Sequence, residues 1–170
     1  ISYGVLCHVL FTISVLAMLV SMFFGMSQSF GKVPHPYSHF ANLLLIIQFP
    51  LAHSFLLSSV GKKYLLYFSP KNYSLSLAPT VFVVLASIQL FILFFFWTPT
   101  KIIIWQASGT SFFLMCSLYS LSWLLLIWAT IDAGVELQSG ALGWMSLAQN
   151  IAPKFPDLPT FGLFLSLIHI

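Results

Sequence analysis

Charged side chains are confined to a few short segments, and this is the feature that most constrains the fold. They leave four charge-free stretches of about 30 residues each, at 1–31, 33–61, 72–100 and 102–131. A helix of about 20 residues crosses a hydrocarbon core about 30 Å thick, so each stretch can supply one span with uncharged flanks. Strands of a membrane barrel would be about half as long. We therefore predict four transmembrane helices, at about 3–25, 41–60, 79–97 and 111–131.

The composition excludes most soluble classes. Lys and Arg together number six, Asp and Glu together three, and 59% of the 170 residues are hydrophobic. A soluble domain needs about a quarter charged residues, and a disordered chain needs low hydrophobicity. Six scattered lysines cannot replace many phosphate counterions, so we expect no nucleic-acid partner. The expected fold class is an all-α polytopic transmembrane helical protein with four spans and a truncated fifth, in contact with the lipid bilayer.

Lysine positions suggest an orientation. Lys62, Lys63, Lys71 and Lys154 would lie on one side of the membrane, and Lys32 and Lys101 on the other. Because cytoplasmic loops carry the excess of positive charge, we predict that the 61–77 loop and the 132–160 tail are cytoplasmic. We place the N-terminus outside.

The tail differs in composition from the spans. A short interfacial helix is expected at about Ala141–Ile151, because apolar residues recur there on one helical face, and the prolines from Pro153 onward would end it. Residues 161–170 resemble the start of another span and stop after half its length. The final six, 165–170, resemble translated sequencing-adapter read-through, so we interpret them as foreign to the protein.

Polar residues inside a span are the default functional candidates. Gln48, His53 and Ser54 lie around Pro50, which frees a backbone carbonyl in mid-helix. Two interpretations stay open: a polar wall of a substrate cavity, or a packed kink whose side chains satisfy one another. Asp132 and Glu136 lie at the end of the fourth span, where ordinary interfacial solvation is the simpler interpretation.

A metal site is not expected. With the N-terminus outside, His8 and His53 would differ in depth by roughly 10 Å at 1.5 Å per residue, too much for two axial ligands of one iron. The two cysteines, Cys7 and Cys116, lie within spans, where a free thiol behaves as a small apolar group.

Several ordered segments resemble a known family. They are YGVLCHVLF, FPLAHSFLLSSVGKK, LASIQLFILFFFWTP, WLLLIWATIDAGVELQSGALGW and PTFGLF. Their order is similar to the N-terminal half of membrane methyltransferases of the isoprenylcysteine carboxyl methyltransferase group, and most similar to methanethiol S-methyltransferase and NnrU-type relatives. The more specific matches are His53-Ser54 followed by Gly61-Lys62, and Asp132 followed by Gly140 and Gly143.

The resemblance implies S-adenosylmethionine-dependent methyl transfer at the cytoplasmic face of the bacterial inner membrane, to a small thiol or lipid-like acceptor. It implies that His53 and Ser54 line the acceptor cavity and that Asp132 and Glu136 lie near its mouth. The family's cofactor residues follow the segment matched by Gly162, Leu163 and Phe164, so we expect none in this chain. The alternative is a non-enzymatic four-helix membrane subunit that holds a partner or a lipid-soluble ligand.

Overall fold

The fold is described by a computed structural model over residues 1–103 and 105–154. The helices of this region are α1 (Ser2–Phe23), α2 (Tyr37–Leu57), α3 (Ser59–Phe68), α4 (Ser74–Phe95), α5 (Thr110–Asp132), α6 (Val135–Gln138) and α7 (Ala141–Ala148), and a 3-10 turn, Lys71–Tyr73, precedes α4. Four of them, α1, α2, α4 with its 3-10 turn, and α5, are long and apolar enough to cross a membrane. The predicted fold class of an all-α polytopic protein is confirmed over this region, whereas the predicted start of a fifth span lies outside the described residues.

The second span ends earlier than predicted, and a separate helix follows it. At Ser58 the backbone is extended, and the Ser58 hydroxyl accepts the Gly61 amide at 3.1 Å, so this residue caps α3. A Cβ at Gly61 would run into the backbone of Phe55 and Leu56, which shows how tightly the chain turns here. Part of the predicted 61–77 loop is therefore the helix α3.

The short helix predicted in the tail is present as α7 but ends at Ala148, before the prolines. Asn150 adopts a left-handed conformation with φ 55°, and the Ile151 amide donates to the Ser146 carbonyl at 3.0 Å. Asn tolerates this conformation better than most residues and often ends a helix in this way. The helix is thus ended by Asn150.

The central packing is between α1 and α4, which run parallel. The Ser14 hydroxyl is buried and lies 2.7 Å from the Ser87 carbonyl, and the Cys7 thiol lies 3.7 Å from the Thr80 carbonyl. Both pairs are separated by 73 positions in sequence, so α1 and α4 are in register along their length. Small polar side chains let the two backbones approach closely, as is usual where lipid supplies no hydrophobic driving force between helices.

This parallel arrangement corrects the predicted orientation. The start of α1, the α3 segment and residues 133–150 all lie at one end of the bundle, which we call the proximal end; Gly4 of α1 lies against the indole of Trp144 on α7. The predicted combination of an N-terminus outside with a 61–77 loop in the cytoplasm is therefore wrong. Two membrane crossings separate these segments, so they lie on the same side. Which end faces the cytoplasm stays a prediction.

The opposite, distal end is closed by an amide bracket. The side-chain amide of Asn42 donates to the Thr98 carbonyl at 2.8 Å, and its oxygen accepts the Thr98 amide at 2.9 Å. Nearby, the Gly31 amide donates to the Trp97 carbonyl at 3.0 Å. A Cβ at Gly31 would collide with the Phe96 carbonyl, so the 24–36 segment packs against the end of α4 at a distance that only glycine permits.

The fourth span, α5, is peripheral. In its most hydrophobic 18-residue stretch, only 6% of the residues are buried within the described protein, against 33% for the span that contains α4. The Tyr119 hydroxyl attaches it to α1 by donating to the Leu19 carbonyl at 2.7 Å. Large apolar side chains such as Leu16, Ile46 and Leu124 are exposed on the outside of the spans. Surfaces of this kind are stable only against lipid or other apolar helices, so the chain is an integral membrane protein.

Candidate functional site

A cavity of about 550 Å³ lies at the proximal end between α2, α3, α4 and α6. Its lining residues are His53, Leu56, Leu57, Lys62, Leu65, Leu66, Leu75, Ala78, Pro79, Phe82, Val83, Leu137 and Gln138. The volume is within the range of about 300–1,000 Å³ that is usual for small-molecule sites, and the predominantly apolar lining is also typical of them.

The cavity has an apolar floor and a partly polar mouth. Leu56, Leu65 and Val83 are buried and form the floor, whereas Lys62 and Gln138 are exposed at the rim. Lys62 is in the first turn of α3, so the Ser58 cap that starts this helix also fixes where the ammonium group emerges. A ligand with an apolar body and a polar end would match this division.

Of the histidines in the described part of the chain, only His53 lines the cavity. Its ring lies between two phenylalanines, with centroids 5.6 Å from Phe49 and 5.0 Å from Phe82. The Nδ1 atom is buried and has no hydrogen-bond partner among the described residues. An imidazole in an apolar wall can offer one ring nitrogen to a ligand, and since Nδ1 is enclosed, we assign that role to Nε2.

The other predicted residues of the second span do not line the cavity. Gln48 donates from Nε2 to the Gln89 carbonyl of α4 at 3.1 Å, so it joins two helices. Ser54 is exposed, on the next position after His53, and is absent from the cavity wall. Of the residues grouped around Pro50, the structure thus brings only His53 to the cavity, and Gln48 is satisfied by α4 instead of by His53.

The two predicted acids are close in sequence to residues that line the mouth of the cavity, but they do not line it themselves. Asp132 is half-buried at the end of α5, and Glu136 is exposed on α6 directly before Leu137 and Gln138, which do line it. Gln138 and Lys62 are the rim residues that sequence reasoning did not select. The Gly61-Lys62 match was a usable signal for Lys62, but Gln138 carries none, because its position depends on how α6 folds back.

One wall of the cavity depends on the anchoring of α6 and α7. The Thr80 hydroxyl donates to the Gly140 carbonyl at 2.8 Å, and the Cys7 thiol lies 3.4 Å from the Ser139 carbonyl. A Cβ at Gly143 would overlap the Ser76 carbonyl, so α7 lies directly on the α4 backbone. These contacts hold Leu137 and Gln138 beside the cavity.

The two intramembrane histidines are at similar depth, contrary to the prediction. His8 lies six residues after the start of α1 and His53 four before the end of α2, which is about 9 Å and about 6 Å from the proximal ends of these helices. The predicted 10 Å difference was wrong because it measured both depths from the starts of their helices, whereas the start of α1 lies at the same side as the end of α2. His8 instead accepts a hydrogen bond from Trp144, and no group of three or more His, Cys, Asp or Glu side chains that could hold a metal occurs in the described part of the chain.

The cavity does not fit S-adenosylmethionine. That cofactor carries a sulfonium, an amino-acid end and a ribose, and its recognition requires acidic or several hydrogen-bonding groups. Among the described residues, no acid lines this cavity, and the polar lining consists of His53, Lys62 and Gln138. The Lys62 ammonium would also repel a sulfonium. The cavity is suited to an apolar molecule instead.

Comparison of the chain with protein-family models, curated proteins and solved structures gives no match.

Proposed function

We propose that this chain is the acceptor-holding part of an integral membrane methyltransferase that uses S-adenosylmethionine and acts on a small thiol or lipid-like acceptor. The observation that carries the proposal is the cavity at the proximal end, whose apolar floor and His53 imidazole suit an acceptor that partitions into the bilayer. The resemblance to the isoprenylcysteine methyltransferase group supplies the reaction class. On this proposal the proximal end faces the cytoplasm of a bacterial cell, with four lysines against two at the distal end.

The residues of this chain contribute by positioning and by desolvation. The leucines and Phe82 exclude water from the acceptor, which raises the reactivity of a thiolate or carboxylate that would otherwise be strongly hydrated. His53 holds the polar end of the acceptor by a hydrogen bond from or to Nε2. Orientation of this kind can lower a bimolecular barrier by several kcal/mol without any covalent step on the protein. The methyl donor is held outside this cavity.

The test is methyl transfer by the complete product of the gene that encodes this chain. Membranes that contain it are incubated with S-adenosylmethionine labelled with tritium in the methyl group, with a short alkane thiol or with the endogenous lipids as acceptors. Label in the organic extract that depends on the protein is the expected result. If a folded, correctly inserted protein transfers no label to any acceptor, the proposed methyltransferase activity is rejected.

A second function is favoured by the poor fit of the cavity to the cofactor. A non-enzymatic membrane subunit that holds a lipid-soluble ligand would need the same apolar cavity and no donor site. It predicts that ligand binding is measurable in the purified protein while methyl transfer is absent under every acceptor tested.

A further inference from the structure

We infer that the cavity binds an anionic phospholipid of the surrounding leaflet, with the headgroup phosphate at Lys62 and one acyl chain on the floor. The inference rests on the acceptor cavity of the proposed function and names the class of molecule that enters it. Three separate observations support it: the sign of charge at the rim, the nature of the helix that forms the rim, and the position of His53 below it.

The charge that lines the cavity is cationic. Lys62 is the only charged residue among the lining residues in the described part of the chain, and Lys63 and Lys71 lie on the same side of the bundle. Asp132 and Glu136 also lie at this end but not in the lining. Basic pockets between transmembrane helices bind the head groups of anionic lipids, with about 1 kcal/mol for each Lys near the surface.

The rim helix α3 has the side chains of a membrane interface. Leu65 of α3 is buried towards the cavity, whereas Tyr64, Tyr67 and Phe68 are exposed beside the lysines. Tyrosines and lysines at the end of a transmembrane bundle lie at headgroup level, where the ring is half in lipid and the ammonium reaches phosphate. The mouth of the cavity is therefore at the height of lipid headgroups, and Leu57 and Leu75, both exposed, flank it on the lipid side.

The position of His53 favours a phospholipid over a fatty acid as the anionic ligand. It lies four residues before the end of α2, about 6 Å below the rim at 1.5 Å per residue. In a phospholipid the ester carbonyls lie a few bonds below the phosphate and accept hydrogen bonds. A neutral imidazole can donate to such a carbonyl from Nε2, and a fatty acid has no polar group at that depth.

The experiment is native mass spectrometry of the whole chain in detergent micelles doped with equal amounts of phosphatidylglycerol and phosphatidylcholine of the same acyl chains. We expect bound phosphatidylglycerol in preference to phosphatidylcholine. Lys62→Gln should weaken this binding about fivefold, which corresponds to about 1 kcal/mol for one lysine–phosphate contact. Lys63→Gln is the matched control, since this neighbouring lysine is exposed on the same helix but does not line the cavity, and its effect should stay below twofold.

A second variant keeps all the lysines. Ala78→Phe fills the floor of the cavity from α4 and should reduce phosphatidylglycerol binding about tenfold, whether or not Lys62→Gln folds. Equal binding of the two lipids, equal losses for Lys62→Gln and Lys63→Gln, or unchanged binding by Ala78→Phe would each overturn the inference. Displacement of phosphatidylglycerol by an equal amount of oleate would overturn the choice of a phospholipid. Methyl transfer is measured separately, so lipid binding without transfer rejects only the proposed enzyme.

Discussion

The indole Nε1 of Trp144 donates a hydrogen bond to Nε2 of His8 at 3.1 Å, joining residues that are 136 positions apart in sequence. The two rings meet edge to face with centroids 5.7 Å apart. This contact anchors α7 on the first turns of α1, and α7 in turn fixes the short turn at Ser139 and Gly140 that leads back to α6 beside the cavity. The start of the chain and the tail after the fourth span are therefore parts of one packed end of the bundle.

Removing this hydrogen bond should lower stability by a modest amount. Trp144→Phe keeps an aromatic ring against Gly4 but removes the donor, and His8 then loses its partner. Hydrogen bonds between transmembrane helices contribute about 0.6–2 kcal/mol, so we expect a loss of about 1 kcal/mol in the free energy of unfolding in mixed micelles. Trp128→Phe is the control because Trp128 is exposed on α5. An equal loss in both variants would contradict the assigned role of Trp144.

The shared end predicts a labelling pattern. Single cysteines introduced at Ser2 and Lys71 should react with a membrane-impermeant maleimide from the same side, and one introduced at Lys32 from the opposite side. The proximal side should be cytoplasmic, since it carries more lysines. The two native cysteines, Cys7 and Cys116, are first replaced by alanine or serine, so that only the introduced cysteine can react. Labelling of the Ser2 and Lys71 positions from opposite sides would contradict the parallel packing of α1 and α4.

Loss of the two hydrogen bonds between Asn42 and Thr98 at the distal end should destabilise the protein more than loss of an exposed side-chain amide. Asn42→Ala removes both hydrogen bonds to Thr98 and leaves the Thr98 backbone groups without these partners in a buried position, where each unsatisfied group costs about 1–3 kcal/mol. We expect a loss of at least 2 kcal/mol in unfolding free energy. Asn72→Ala, the same change at an exposed position before α4, should be within about 0.5 kcal/mol of the wild type. Similar values for the two variants would show that the bracket contributes little.

The turn between α2 and α3 should tolerate no side chain at Gly61. Gly61→Ala would place a Cβ against the Phe55 carbonyl and Leu56 Cα, which belong to backbone and cannot move away cheaply. We expect α3 to shift, with a loss of about 1–3 kcal/mol and of phosphatidylglycerol binding together. Val60→Ala, at the preceding and exposed position, is the control and should change neither quantity. Lipid binding that survives Gly61→Ala unchanged would show that the rim does not depend on this turn.

The spans could be predicted from the sequence because lipid imposes a simple condition, namely about 20 residues without charge. The helix α3 could not, since its mixture of lysines, tyrosines and apolar residues is equally typical of an interfacial loop. The N-terminus and the 61–77 loop were placed on opposite sides because lysine counts were applied without counting crossings. The contact between Ser14 and Ser87 on parallel helices shows that the N-terminus and this loop share one side. His53 could be selected as a polar residue close to Pro50 within a predicted span. Gln138 could not, because only the packing of α7 against α4 brings the preceding helix α6 to the rim.

The measurement that tests the central claim most directly is methyl transfer by the complete gene product carrying Ala78→Phe. If the cavity holds the acceptor, filling it should reduce incorporation of the labelled methyl group at least tenfold. Ala148→Phe, the same change at an exposed position of α7, should retain wild-type transfer. Transfer by the Ala78→Phe protein equal to that of the wild type, with both proteins folded and inserted, would contradict the account.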